Sequence, residues 1–157
     1  MKNKLIVNTD APNEIHMTRT FDAPRHLVIE AMTKPELIKR WLGGKRATVT
    51  HAECDLRVGG SYKWVFLLPD GNSFYFSGTF REVSPERVVH NERFNEDPNE
   101  SLVTTTYREH DGKTTVTWVI RFETQAMRDM VLATGMADGA GETYDSLDAL
   151  LADRMRS

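Results

Sequence analysis

The chain has 157 residues, enough for one domain with one hydrophobic core. It is 39% hydrophobic and 27% charged, and 20 Lys and Arg against 23 Asp and Glu leave a formal net charge of −3. That balance speaks against a nucleic-acid binder, and an apolar run no longer than Trp64 to Leu68 speaks against a membrane span. Met1 to Thr9 has no leader pattern, so a cytoplasmic location is expected. Cys54 is the only cysteine, which excludes an internal disulfide and a paired-cysteine zinc site. Within the strand-like run Thr48 to Val58 it reads as a small buried hydrophobe rather than a nucleophile.

In chain order, Glu14 to Phe21 is strand-like, and two short helical signals follow. Pro24 suits a first helical turn, after which Leu27, Val28, Ala31 and Met32 recur at helical spacing. Thr33-Lys34-Pro35-Glu36 has capping-box spacing, Leu37, Ile38, Trp41 and Leu42 supply an apolar side, and Gly43-Gly44 ends the segment. From Ala47 to Glu123 the period becomes two. Tyr62, Trp64 and Phe66 alternate with Lys63, Val65 and Leu67, and Phe74, Phe76, Gly78 and Phe80 alternate with polar neighbours. Pro69 to Asn72 and Ser84 to Glu86 mark turns, and Asn95 to Ser101 marks a loop. Asp111-Gly112 signals a hairpin joining Leu102–Glu109 to Thr114–Phe122, in which Val116, Trp118, Ile120 and Phe122 share a face. Thr124 is placed to cap a helix bearing Met127, Met130 and Val131, interrupted at Thr134-Gly135. Met136, Ala140, Thr143, Tyr144, Leu147, Leu150 and Leu151 then give a long amphipathic helix. That helix needs an apolar partner and the aromatic sheet face needs a cover. The expectation is an α+β domain with a curved antiparallel sheet wrapped around a long C-terminal helix, spanning residues 1–157.

Several segments carry a more specific likeness. Arg19-Thr20-Phe21-Asp22-Ala23-Pro24, Thr33 to Leu37 and Arg40-Trp41 resemble the opening of the activator of heat-shock protein 90 ATPase homologue family, of the START-like (SRPBCC) superfamily. Asp55 to Gly60, Phe76 to Val83 and the tail from Gly135-Met136 through Tyr144 to Leu151 extend the resemblance from about Glu14 onward. It implies the helix-grip (Bet v 1-like) architecture and a deep, largely apolar cavity between sheet and helix. Fold alone implies no reaction.

The cavity is the first candidate site. Tyr62, Trp64, Phe66, Phe74, Phe76, Tyr107, Trp118 and Phe122 are placed to line it from the sheet. Trp41, Met127, Met130, Met136, Ala140 and Tyr144 are placed to close it from the helices. Methionines suit a pocket of adaptable shape, although any one of these residues also makes ordinary core. A hydrophobic or amphipathic small molecule, lipid-like or polycyclic aromatic, is the expected ligand. His51 with Glu53 and His90 with Glu92 stand two apart on single strands, the spacing of an acid–base couple and equally of a solvated sheet face. They are the catalytic candidates if the protein is a cyclase/aromatase-like or hydrolase-like enzyme. His16, His26 and His110 read as surface, and His51 with His90 is too sparse for a metal site, so neither metal nor cofactor is expected. Arg57 and Glu82 are a candidate structural pair, and Gly59-Gly60 a bend between strands. The resemblance also implies a chaperone partner, but the eukaryotic activator carries a further N-terminal domain for which 157 residues leave no room. Oligomeric state is not legible.

Overall fold

Alternation of buried and half-buried residues along Glu14–Phe21 (β2) sets the frame, with Ile15, Met17, Arg19 and Phe21 all turned inward. The computed structural model describes residues 3–156, so Met1 and Lys2 of the Met1–Thr9 stretch, and Ser157, lie outside the described residues. A three-residue strand, Ile6–Asn8 (β1), pairs along β2 at the sheet edge, too short to show a period. Arg25–Thr33 (α1) and Pro35–Trp41 (α2) come next. The Thr33 capping box does not form: Thr33 is still helical, its hydroxyl donates to the Ile29 carbonyl at 2.7 Å, and Lys34 occupies the cap position of α2.

The remaining strands are Thr48–Cys54 (β3), Ser61–Leu67 (β4), Ser73–Val83 (β5), Arg87–Phe94 (β6), Ser101–His110 (β7) and Lys113–Arg121 (β8). All neighbours pair antiparallel in the order β1-β2-β8-β7-β6-β5-β4-β3. The β7–β8 hairpin turns at Asp111 (φ +53°) and Gly112 (φ +76°), two consecutive left-handed residues that match strand twist. Between β3 and β4 the chain bends at Gly59 (φ +84°), and a Cβ on Gly60 would stand 2.1 Å from the Asp55 carbonyl oxygen. The expected Arg57–Glu82 pair is absent: Arg57 reaches Asp55 at 2.8 Å and Glu82 takes Arg87 at 2.9 Å, each the nearer partner along or across its own strand.

Gln125–Ala133 (α3) is capped by Thr124, whose hydroxyl oxygen accepts from the Met127 amide at 3.1 Å. Gly135 (φ +81°) then redirects the chain into Met136–Arg156 (α4). The main core joins Ile15, Phe21, Val116 and Trp118 of the sheet to Leu147, Leu150 and Leu151 of α4. A smaller cluster of Ile38, Val49, Ala52 and Phe66 seats α2 on β3 and β4. Among the described residues no helix is long and apolar enough to cross a membrane.

Candidate functional site

Between the concave sheet face, α2 and α4 the aromatic side chains fail to fill the space. A cavity of about 240 Å³ remains. Trp41 projects from α2, Tyr62, Trp64 and Phe66 from β4, Phe76 and Phe80 from β5, Tyr107 from β7, Trp118 from β8 and Tyr144 from α4. The chain has three tryptophans, and all three line this space. Tyr144 is the hub of the helix side, stacked on Trp118 at 4.3 Å and tilted against Trp41 at 5.9 Å. The Trp41 indole N–H donates to the Ala31 carbonyl at 2.8 Å, which fixes the ring and ties α2 to α1.

Six of the expected residues do not line the cavity. Phe74 lies one ring behind the wall, stacked on Phe66 at 4.9 Å, and Phe122 is buried in the main core beyond the end of β8. Met127, Met136 and Ala140 pack half-buried against that core, and Met130 is 71% exposed. The reason lies in direction: Gly135 turns α4 away from α3, so the methionines of α3 and of the first turn of α4 fall outside the grip. Met17, Met32, Ile38, Leu42, Cys54, Val103 and Thr105 line the cavity as well, beyond the residues expected from the sequence. Strand parity was the available signal for Met17, Val103 and Thr105, which share the inward face of residues already on it.

The two histidine–glutamate pairs separate. His51 and Glu53 hydrogen-bond at 2.7 Å but on the outer face, more than half exposed, because a bulge between Val49 and His51 shifts the strand. They are surface residues and do not reach the cavity. His90 and Glu92 face the cavity instead. They form no ion pair with each other. The Tyr62 hydroxyl donates to the Asn91 carbonyl at 2.9 Å, and His90 Nδ1 lies 3.1 Å from that hydroxyl and 3.2 Å from the same carbonyl. With both carbonyl and phenol oxygen acting as acceptors, Nδ1 carries the proton and Nε2 is left as the acceptor nitrogen. Burial holds the His90 ring below its ordinary value, so it stays neutral. Burial also pushes the Glu92 carboxyl up to about 7. The Cys54 thiol is raised to about 11 by burial and by neighbouring Asp55, so it is no nucleophile. Tyr62, Tyr107 and Tyr144 are pushed well above the usual phenol range, in each case chiefly by burial.

The wall is thus apolar and aromatic with a few uncharged polar groups and one carboxyl. That is the composition of a small-molecule site. A second hollow, about 400 Å³, lies across the outer face of β3 to β6. Its lining is polar and charged, with Arg93 reaching Glu100 at 2.9 Å and Asn91 also donating to Glu100, so the apolar, aromatic inner cavity is the better candidate although smaller. Among the described residues no group of three or more His, Cys, Asp or Glu is placed to hold a metal ion.

The family model for Activator of Hsp90 ATPase homolog 1-like protein matches residues 22–152, most of the chain. The chain belongs to that family. Solved structures agree in fold across nearly its whole length. A Rhodobacter sphaeroides protein superposes with a TM-score of 0.90 at 27% identity, covering 96% of this chain and 99% of its own. A Nitrosomonas europaea protein gives 0.85 at 26% identity, covering 94% and 99%. Protein Ms6760 from Mycobacterium smegmatis gives 0.81 at 27%, covering 94% and 96%. A search of the curated proteins found none that match. Membership of the Hsp90 ATPase activator homologue family fits the grip of β-sheet on α4 seen here, with the matched span taking in every cavity-lining strand from β3 to β8.

Proposed function

We propose that this protein binds a small hydrophobic or amphipathic molecule in the cavity between sheet and α4. The observation that carries the reading is the cavity itself: about 240 Å³ walled by nine aromatic side chains. A folded core closes such a space unless something else occupies it, because unfilled volume forfeits packing. The volume lies below the ~300–1,000 Å³ of sites for drug-sized ligands, which favours a compact one- or two-ring body over a long-chain lipid. Native mass spectrometry of the purified protein, with tryptophan fluorescence titration against a panel of small aromatic compounds, tests it. A bound mass or a saturable change in emission is expected, since Trp41, Trp64 and Trp118 all face the cavity. No bound mass and no saturable change across the panel would sink the reading.

A second reading, a cyclase-like or hydrolase-like enzyme using the same cavity, draws support from His90 and Glu92. A carboxyl titrating at about 7 beside a neutral imidazole acceptor is suited to moving protons on a bound molecule. Product formation from a bound compound, abolished in both His90→Gln and Glu92→Gln, separates it from simple binding. A chaperone-partner role has no comparable residue-level support, since the distinctive chemistry lies inside the molecule rather than on a face.

A further inference from the structure

Among the residues lining the cavity there is one carboxyl, Glu92, and no lysine or arginine. The Glu92 carboxyl makes no hydrogen bond or ion pair with any described residue. The other polar groups that face the same space are Thr33 from α1, Cys54 from β3, Tyr62 from β4, His90 from β6 itself, Thr105 and Tyr107 from β7 and Tyr144 from α4. All are uncharged at neutral pH, the tyrosines because burial raises them and His90 because burial lowers it. β5, β8 and α2 contribute only apolar or indole surfaces, from Phe76, Phe80, Trp118 and Trp41. Arg93 and Glu100, paired at 2.9 Å, line the outer hollow and not this cavity.

A carboxylate withdrawn from water with no counter-charge is costly, and a cation is what relieves it. The rings around it add a second reason. Their faces carry negative electrostatic potential, which attracts cations and repels anions. Tyr62 and Tyr144 both sense the charge of Glu92, so carboxylate and rings act on one region. We propose that the cavity takes a small organic cation, a protonated amine on a compact apolar body, with the ammonium against Glu92 and the body among the aromatic side chains. The inference rests on the small-molecule reading and names the ligand's charge and size.

Three probes of similar shape decide it, read by tryptophan fluorescence and calorimetry: 2-phenylethylamine (cation), 2-phenylethanol (neutral) and 3-phenylpropanoate (anion). At about pH 8 the amine should bind at least ~10-fold more tightly than the alcohol, an attraction of the size expected for a desolvated cation among rings and a carboxylate. The anion should not bind. In Glu92→Gln the amine's advantage should fall to about twofold or less, the cation–aromatic attraction alone remaining. For the unaltered protein, amine affinity should rise between about pH 6 and pH 8 as Glu92 ionises, while alcohol affinity does not. Equal binding of amine and alcohol, or an advantage that survives in a folded Glu92→Gln variant, overturns the cation assignment and leaves the small-molecule reading standing. If the variant does not fold, amine affinity that is flat or falling across that pH range overturns it instead. Silence from all three probes with the fold intact overturns both readings together.

Discussion

Glu92 sits where an ionised carboxylate is poorly solvated, and that has a consequence for stability as well as for binding. Unfolded, it releases its proton near the ordinary value of 4.5, whereas in the folded protein burial delays release to about 7. Between those values the folded state holds more protons than the unfolded one, so stability falls as pH rises, the reverse of an ordinary paired carboxylate. The full cost, present above about pH 7, is on the order of 3 kcal/mol at most, a tenfold change in proton affinity being ~1.4 kcal/mol. Glu92→Gln keeps the shape and removes the charge. Its melting temperature should exceed that of the unaltered protein by a margin that is small at about pH 5 and grows towards about pH 8. A margin that shrinks with rising pH would mean that Glu92 is paired when folded. His90 acts on the other flank. Its folded value is lowered, so it costs stability as pH falls below the ordinary 6.5, and His90→Gln should blunt the loss on acidification.

At the scale of elements, the grip depends on α4 being held across the concave sheet. Arg19 of β2 is buried beneath it, with its Nη2 donating to Asp145 at 2.8 Å and also to Asp148, and Nη1 donating to the Gly141 carbonyl at 3.4 Å. Its guanidinium lies 5.6 Å from the Phe21 ring centre, and its Nε has no partner among the described residues. Burial raises the Asp148 carboxyl above its usual range in spite of the opposing pull of Arg19. One strand residue therefore bridges two turns of the helix. Further along, Arg46 pairs with Glu142 and Arg154 with Glu30, tying α4 to the segment after α2 and to α1. Arg19→Met should lower stability by about 2–4 kcal/mol, since it leaves Asp148 part-buried without a counter-charge. Hydrogen exchange should then show α4 amides losing protection before those of β7 and β8; equal loss in both would mean that Arg19 does not act on the helix in particular. Arg19→Lys should recover only part of the loss, because an ammonium cannot present the same fork to two carboxylates.

For the whole molecule, the cavity is a place where packing stops short, and filling it separates fold from function. Thr105 is 3% exposed and lines the cavity, and its hydroxyl has no hydrogen-bond partner among the described residues. Thr105→Leu extends an apolar side chain into the space and removes that hydroxyl. Thermal stability should hold or rise by up to about 1 kcal/mol, while affinity for the aromatic probes drops at least several-fold. A large loss of stability would show that the cavity is too small to accept the added carbons. Unchanged probe affinity would place binding outside this space. Conversely, any saturating probe that occupies the cavity should raise the melting temperature, by about 2.7 kcal/mol of added stability at a hundredfold excess over its Kd.

From β2 to α4 the elements and their order were legible in the sequence, whereas β1, three residues long, was not. Period-two patterning in Tyr62, Trp64 and Phe66 and in Val116, Trp118 and Ile120, the Asp111-Gly112 turn and the 3.6-residue spacing of Leu147, Leu150 and Leu151 are local signals, each contained in a few neighbouring residues. They were enough to place the sheet, the helices and most aromatic lining. What no local signal carried was the direction in which elements meet. His51–Glu53 and His90–Glu92 look alike as strings, yet a bulge turns the first pair to solvent while the register of β6 turns the second inward. Met130 matches Tyr144 as an apolar helical residue, but Gly135 sends α3 outside the grip and α4 into it. Arg19, read as part of a family-like segment, became a buried clamp only when Asp145 and Asp148 came across from the far end of the chain. Periodicity fixes which face of an element is apolar because it acts over a turn or two of chain. Which faces enclose a cavity, and which charge is left alone inside it, depends on residues far apart in sequence, so Glu92 becomes the solitary carboxyl among aromatic side chains only once the chain has folded.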